Sequence, residues 1–208
     1  MPTTVCGVSR PEWPVASSET GQHGSSDLRR GGMDSTTVTV EIPGALKVIF
    51  DALEKRFGDR LLGNDFFRGE LTFTVAPEDF VEVATFCRDE PSLAFERLDC
   101  LTGNHFSGRR AAPFEVTAHL TSVSHTTRLR LKVTLAEGQK MPTAIPVWPS
   151  ANWDERETWE MYGIEFDGHP NLTRLLTTED FEGFPLRKDF PLRGTVGGRI
   201  RTDLKGKI

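Results

Sequence analysis

Residues Phe114 to Ala136 read FEVTAHLTSVSHTTRLRLKVTLA, and their pattern decides the fold class. Leu129, Leu131, Val133 and Leu135 alternate with Arg128, Arg130, Lys132 and Thr134. Successive side chains of a strand point to opposite faces, so this segment belongs to a sheet with one apolar face and one wet face. Phe114 to Ser122 comes just before it and is also strand-like. The two segments, 114–122 and 126–136, are read as a hairpin.

Upstream, the period changes. Leu46, Ile49, Phe50, Leu53 and Phe57 recur at three- and four-residue spacing, which predicts an amphipathic helix over Pro43 to Phe57. Pro43 suits a first turn and Gly58 a stop. Arg60 to Phe67 and Glu70 to Ala76 are candidate strands joined near Gly69. Pro77 to Arg88 is a second helix with Phe80, Val83, Ala84 and Cys87 along one side, and Leu93 to Thr102 is a third strand. The order α-β-β-α-β-β-β predicts an α+β two-layer sandwich, with helices on one face of a mixed, mostly antiparallel sheet. Pro142, Pro146 and Pro149 then carry the chain off the sheet, toward a helix and an extended C-terminal tail. The expected divisions are a disordered extension at 1–36, an α+β core at 37–149 and a docking segment at 150–208.

Composition narrows the function. The chain has 208 residues and a formal net charge of −5, which makes nucleic acid a poor partner. Mean hydropathy is −0.36, and no run approaches the roughly 18 apolar residues of a membrane span, so membrane contact is expected only through partners. Cys6, Cys87 and Cys100 form no CxxC pair, which fits a reducing compartment and apolar packing better than a cluster or disulfide framework. Met1 to about Thr36 is poor in large apolar residues and is read as a disordered extension, with Trp13 as a solvated side chain. Val38, Val40 and Ile42 alternate with Thr39 and Glu41 as a short strand or extended lead-in.

The C-terminal third reads differently. Trp148 to Leu192 is WPSANWDERETWEMYGIEFDGHPNLTRLLTTEDFEGFPLRKDFPL. Its charge is sorted. Asp154, Glu155, Glu157, Glu160, Glu165, Asp167, Glu179, Asp180 and Glu182 are interrupted only by Arg156 and Arg174. Arg187, Lys188, Arg193, Arg199, Arg201, Lys205 and Lys207 follow, with only Asp189 and Asp203 against them. A helix is predicted over Ala151 to Tyr162, capped by Ser150 or Asn152 and ended by Gly163. Arg156 and Glu160 are spaced to pair on it. Gly168, Pro170, Gly183, Pro185 and Pro191 then break the chain repeatedly, and a segment of this kind needs a surface to lie on.

No enzyme motif emerges. Glu155 and Glu157 point in different directions on a helix, and no HExxH accompanies them. His169 in Gly-His-Pro reads as a hydrogen-bonding turn residue rather than a base. Nothing resembles a dinucleotide or nucleotide loop. Arg187-Lys188-Asp189, flanked by Pro185, Phe190 and Pro191, reads instead as a rigid basic turn with aromatic anchors.

The run Glu155-Arg156-Glu157, Glu160-Met161-Tyr162-Gly163-Ile164, Gly168-His169-Pro170, Leu175-Leu176-Thr177 and Glu182 to Leu192 resembles the signature of the 30 kDa subunit family of respiratory complex I. This is the proton-translocating NADH:quinone oxidoreductase, in which the bacterial member of the family is the C-subunit. The chain departs from the pattern at Thr173, where the family usually has a basic residue or Pro; Arg174 stands next to it. The resemblance implies a non-redox structural and assembly subunit of the peripheral arm, on the cytoplasmic side of the bacterial cell membrane. It implies no cofactor, metal or catalytic residue in this chain. FMN, iron–sulfur clusters and quinone are carried by other subunits. The implied partners are the hydrogenase-like 49 kDa subunit of the quinone site and the small subunit that holds the terminal cluster. Glu155, Arg156, Glu157, Trp159, Glu160, Tyr162, His169, Pro170, Phe184, Pro185, Arg187, Lys188, Asp189, Phe190 and Pro191 are the expected interface residues. Deleting 150–208 is expected to leave a folded core and block incorporation. The alternatives are the equivalent subunit of a related membrane-bound hydrogenase or ferredoxin- or F420-linked dehydrogenase, and a free-standing hydrolase using Glu155 or His169.

Overall fold

The computed structural model describes residues 7–8, 38–39, 44–108 and 111–191. Gly7–Val8 (β1) and Val38–Thr39 (β2) form a short antiparallel ladder. The rest of 1–36, Cys6 and Trp13 included, lies outside the described residues, as does Pro43.

The first helix, α1, spans Gly44–Phe57 and buries Leu46, Ile49, Leu53 and Phe57. A tight turn at Gly58–Arg60 leads into β3 (Leu61–Phe67) and β4 (Glu70–Val75). Arg68 and Gly69 between them have φ of 53° and 83°, the double left-handed turn whose twist matches a hairpin. The second helix begins later than the pattern predicts: Pro77–Asp79 wind as a tighter 3-10 turn before α2, Phe80–Asp89.

The third strand is displaced. β5 runs from Arg97 to His105, not from Leu93. The N–H groups of Leu93 and Ala94 both donate to the Glu90 carbonyl, Phe95 donates back to the Cys87 carbonyl, and Ala94 sits at φ 45°. Leu93 and Phe95 are buried from this turn, so their alternation mimics a strand without being one. β6 (Phe114–Ser122) and β7 (Thr127–Leu135) form the expected hairpin.

The main sheet has the order β3-β4-β7-β6-β5, with β4 and β7 parallel and the other pairs antiparallel. It is the expected α+β sheet. Val75, Val133, Val116 and Gly103 stand in register across four strands. Their face carries the core with Leu53, Phe73, Phe80 and Leu131. The other face is wet: Arg130 lies 3.3 Å from Glu70, and Lys132 lies 3.3 Å from Glu115.

The segment after β7 does not leave the fold. Met141–Pro142 (β8) pairs in parallel with Phe166–Asp167 (β9) and brackets α3, Ala151–Tyr162. Met141, Ala144, Val147, Trp148, Ala151, Ile164 and Phe166 share one core with the sheet. The buried Trp148 indole N–H donates to the Phe95 carbonyl at 3.1 Å. A cut at residue 150 therefore passes through this core. Cys87 is buried, which pushes its thiol up, whereas Cys100 is exposed on β5 rather than packed.

Candidate subunit-docking site

α3 lies on the edge strand of the sheet, on the same face as the other helices. A Cβ on Gly103 would meet Tyr162 Cδ2 at 2.9 Å and Thr158 Cγ2 at 3.0 Å, so β5 admits the helix only because that residue has no side chain. One turn apart on α3, Asp154 accepts the Leu101 N–H at 2.9 Å and Thr158 donates to the Leu101 carbonyl at 3.4 Å. These bonds satisfy backbone groups that an edge strand leaves open. Gly163 ends α3 at φ 75°, in the expected left-handed conformation. Ser150 occupies the first cap position in a helical conformation and its side chain makes no cap bond; Asn152 already lies inside the helix.

Three of the four acids of α3, Asp154, Glu155 and Glu160, are spent inside the chain. Glu155 is fully buried and accepts the Thr143 hydroxyl and the Ala144 N–H, each at 2.6 Å. Burial pushes its carboxyl up to about 7, Asp154 adds to this, and the two hydrogen bonds oppose it. Glu160 is 1% exposed and faces the other way along the chain. It accepts the N–H groups of Leu175 at 2.6 Å, Leu176 at 3.0 Å and Thr177 at 2.6 Å, together with the Thr177 hydroxyl. Burial pushes this carboxyl up, but the Thr177 hydroxyl and the three backbone donors outweigh it and hold it at about 2.

Arg156 does not pair with Glu160. Its guanidinium lies 5.1 Å from the Trp153 ring and donates to the Thr173 carbonyl at 3.0 Å and the Thr173 hydroxyl at 2.8 Å. Thr173, where the family pattern has a basic residue or Pro, is thus the acceptor for a cation from α3. Arg174 turns inward over Trp159 and Phe181. The Nδ1 atom of His169 accepts the Asn171 N–H at 3.0 Å, so Nε2 carries the proton and donates to the Asn152 carbonyl at 3.2 Å. His169 is a turn residue tied to α3.

The last described stretch returns over the C-terminus of α3. Leu186 N–H donates to the Met161 carbonyl at 3.1 Å, Arg187 Nε to the Tyr162 carbonyl at 2.5 Å, and Lys188 N–H to His105 Nδ1 at 2.9 Å. Phe181 and Phe190 stack at 6.1 Å across Gly183.

The expected interface residues therefore fall into two groups. Glu155, Arg156, Glu160, Tyr162, His169 and Arg187 bond within the chain, and Trp159, Phe184, Pro185 and Phe190 are half-buried against it. Glu157, Pro170, Lys188, Asp189 and Pro191 face outward. Trp153 (62% exposed), Leu176 (67%) and Leu186 (49%) were not among the expected interface residues, yet they are the large apolar side chains exposed here. The bonding partners Thr143, Glu137 and His105 had no local signal, because each lies at least a dozen residues from the group it holds. Among the described residues, no three His, Cys, Asp or Glu side chains form a group that would hold a metal ion, and no helix is long and apolar enough to cross a membrane.

Residues 73–196 match the family described as the respiratory-chain NADH dehydrogenase, 30 Kd subunit. The chain belongs to this family. The NADH-quinone oxidoreductase C-subunit of Methylobacterium sp. (strain 4-46) is 43% identical over 172 residues, covering 83% of this chain and 79% of that protein. That of Roseiflexus castenholzii is 44% identical over 161 residues, covering 77% and 86%. Among solved structures, the trypsin-resistant fragment (1-134) of Nqo5 superposes with a TM-score of 0.52 at 25% identity, over 60% of this chain and 99% of the fragment. A chain of an archaeal membrane-bound sulfane sulfur reductase shares the fold, with a TM-score of 0.59 at 21% identity over 71% of this chain and 85% of that one. The matched region of the 30 kDa family begins within β4 and takes in α2, β5, the hairpin, α3 and the returning segment. Its members are subunits of an enzyme complex, NADH-quinone oxidoreductase.

Proposed function

We propose that this chain is a non-redox structural and assembly subunit of the peripheral arm of proton-translocating NADH:quinone oxidoreductase. In this reading it buttresses the quinone-reducing module from the cytoplasmic side of the bacterial membrane. It packs on the hydrogenase-like quinone-site subunit and near the subunit holding the terminal cluster. FMN, the clusters and quinone belong to other subunits. The observation that carries the reading is the use of the polar residues of α3. Glu155, Arg156 and Glu160 hold the 141–148 and 171–177 loops in place, while Trp153, Leu176 and Leu186 are turned outward. Exposed aromatic and aliphatic side chains on a rigid frame suit the centre of a subunit interface. The basic residues Arg193, Arg199, Arg201, Lys205 and Lys207 continue from it.

The test follows from the fold. Truncation after Pro191 spares every residue of the core, whereas truncation at 150 does not. A strain carrying only the chain ending at Pro191 is expected to lose most membrane NADH:quinone oxidoreductase activity. Normal activity in that strain contradicts the reading. The likeness in fold to a chain of an archaeal respiratory membrane complex supports a second reading, the equivalent subunit of a related membrane complex. The identity of the co-purifying subunits separates the two.

A further inference from the structure

We infer that Arg187 is a latch that fixes the direction in which residues beyond Pro191 leave the folded domain. It is then a positioning residue for docking, not itself a partner contact. This rests on the docking reading above and adds to it the device that aims the segment.

The sequence groups Arg187, Lys188 and Asp189 as one basic turn, but the fold divides them. The Arg187 side chain is 18% exposed, while that of Asp189 is 71% exposed and Lys188 also faces outward. The guanidinium carbon lies over two aromatic rings, with centroids 4.8 Å away at Phe114 and 4.6 Å away at Phe184. Its edge donates to the Tyr162 carbonyl at 2.5 Å and to Glu137 at 2.9 Å. The acceptor carbonyl belongs to the last turn of α3, the negative end of the helix dipole. One side chain thereby joins β6, the turn after β7, α3 and the returning segment.

The backbone on either side is held as well. Leu186 N–H is bonded to α3 and Lys188 N–H to the end of β5, so position and orientation are both set. Gly163 makes the close approach possible. A Cβ there would stand 2.6 Å from the Phe184 ring and 2.8 Å from Arg187 Nη2. Lysine cannot replace this arginine, because an ammonium has no planar faces to stack and no fork to reach two acceptors at once.

The deciding variant is Arg187→Lys in the full-length chain, which keeps the charge; Gly163→Ala is a second route to the same opening. Hydrogen exchange at the Leu186 and Lys188 amides is expected to quicken by roughly tenfold or more, the loss of one charge-assisted bond. In Arg187→Lys, exchange in β6 and β7 is expected to quicken no more than at the two latch amides, and the Tm to fall by only a few degrees. Recovery of the variant with the membrane complex is expected to fall in the same proportion. Unchanged exchange at both amides overturns the latch. Faster exchange with undiminished recovery in the complex overturns the positioning role and leaves the docking reading standing. A wild-type chain that co-purifies with no oxidoreductase subunit overturns that reading, and this proposal with it.

Discussion

The Glu160 carboxylate closes on Thr177 across the surface of α3, accepting its N–H at 2.6 Å and its hydroxyl as well. Leu175 and Leu176 point their N–H groups at the same carboxylate. A side chain thus fills a nest of loop donors that would otherwise go unpaired beneath the surface. Replacing it with Gln turns an amide N–H₂ toward those donors and is expected to cost about 2 kcal/mol at pH 7. Its depressed carboxyl gives stability that is present above the ordinary value near 4.5 and lost as pH falls toward about 2. Urea unfolding at several pH values checks this: the gap between wild type and Glu160→Gln should narrow over that window, and a gap independent of pH would contradict it.

Glu155 behaves in the opposite sense. Its carboxyl is raised from 4.5 to about 7, so the folded state holds the proton more tightly than the unfolded chain does. Stability from this group falls as pH rises through that window, by at most about 3 kcal/mol. Glu155→Gln removes the titration but keeps an acceptor for Thr143 or Ala144. Denaturation at pH 5 and pH 8 should show a flatter profile for the variant, and equal slopes in the two proteins would refute the assignment.

Gly103 is the point at which α3 seats on β5. An added methyl would press on the Tyr162 ring at 2.9 Å and on Ile164 at 3.3 Å, and these belong to a packed helix end with little room to give. Gly103→Ala is expected to destabilise the chain by about 1–3 kcal/mol through overpacking. The accompanying sign would be faster exchange at the Leu101 amide, whose partner Asp154 moves with the helix. A variant as stable as wild type would mean that the helix shifts freely on its strand.

The elements read well from sequence where one residue reports its own environment. Leu129 to Leu135 alternate because one sheet face is buried, and Gly163 ends α3 because only glycine takes φ 75° at low cost. Leu93 and Phe95 misled, since a tight turn and a strand both bury alternate residues. The site was harder. The charge sorting of 154–182 is visible at once, yet it does not say that Glu155 and Glu160 are buried and bonded to loops 11 to 17 residues away. Nothing in the local spacing marks Trp153 for the 62% exposure that the fold leaves it. Which side of a signature faces inward is set by long-range register, and local spacing does not carry that.

Co-purification tests the central claim most directly. The tagged full-length chain is recovered from gently solubilised membranes beside the chain ending at Pro191, and everything bound is identified and quantified by mass spectrometry. The account predicts flavin-, iron–sulfur- and quinone-site subunits in fixed ratio with the full-length chain, and their loss from the truncated one. Recovery of the full-length chain alone, or full retention of those subunits by the truncated chain, would contradict it.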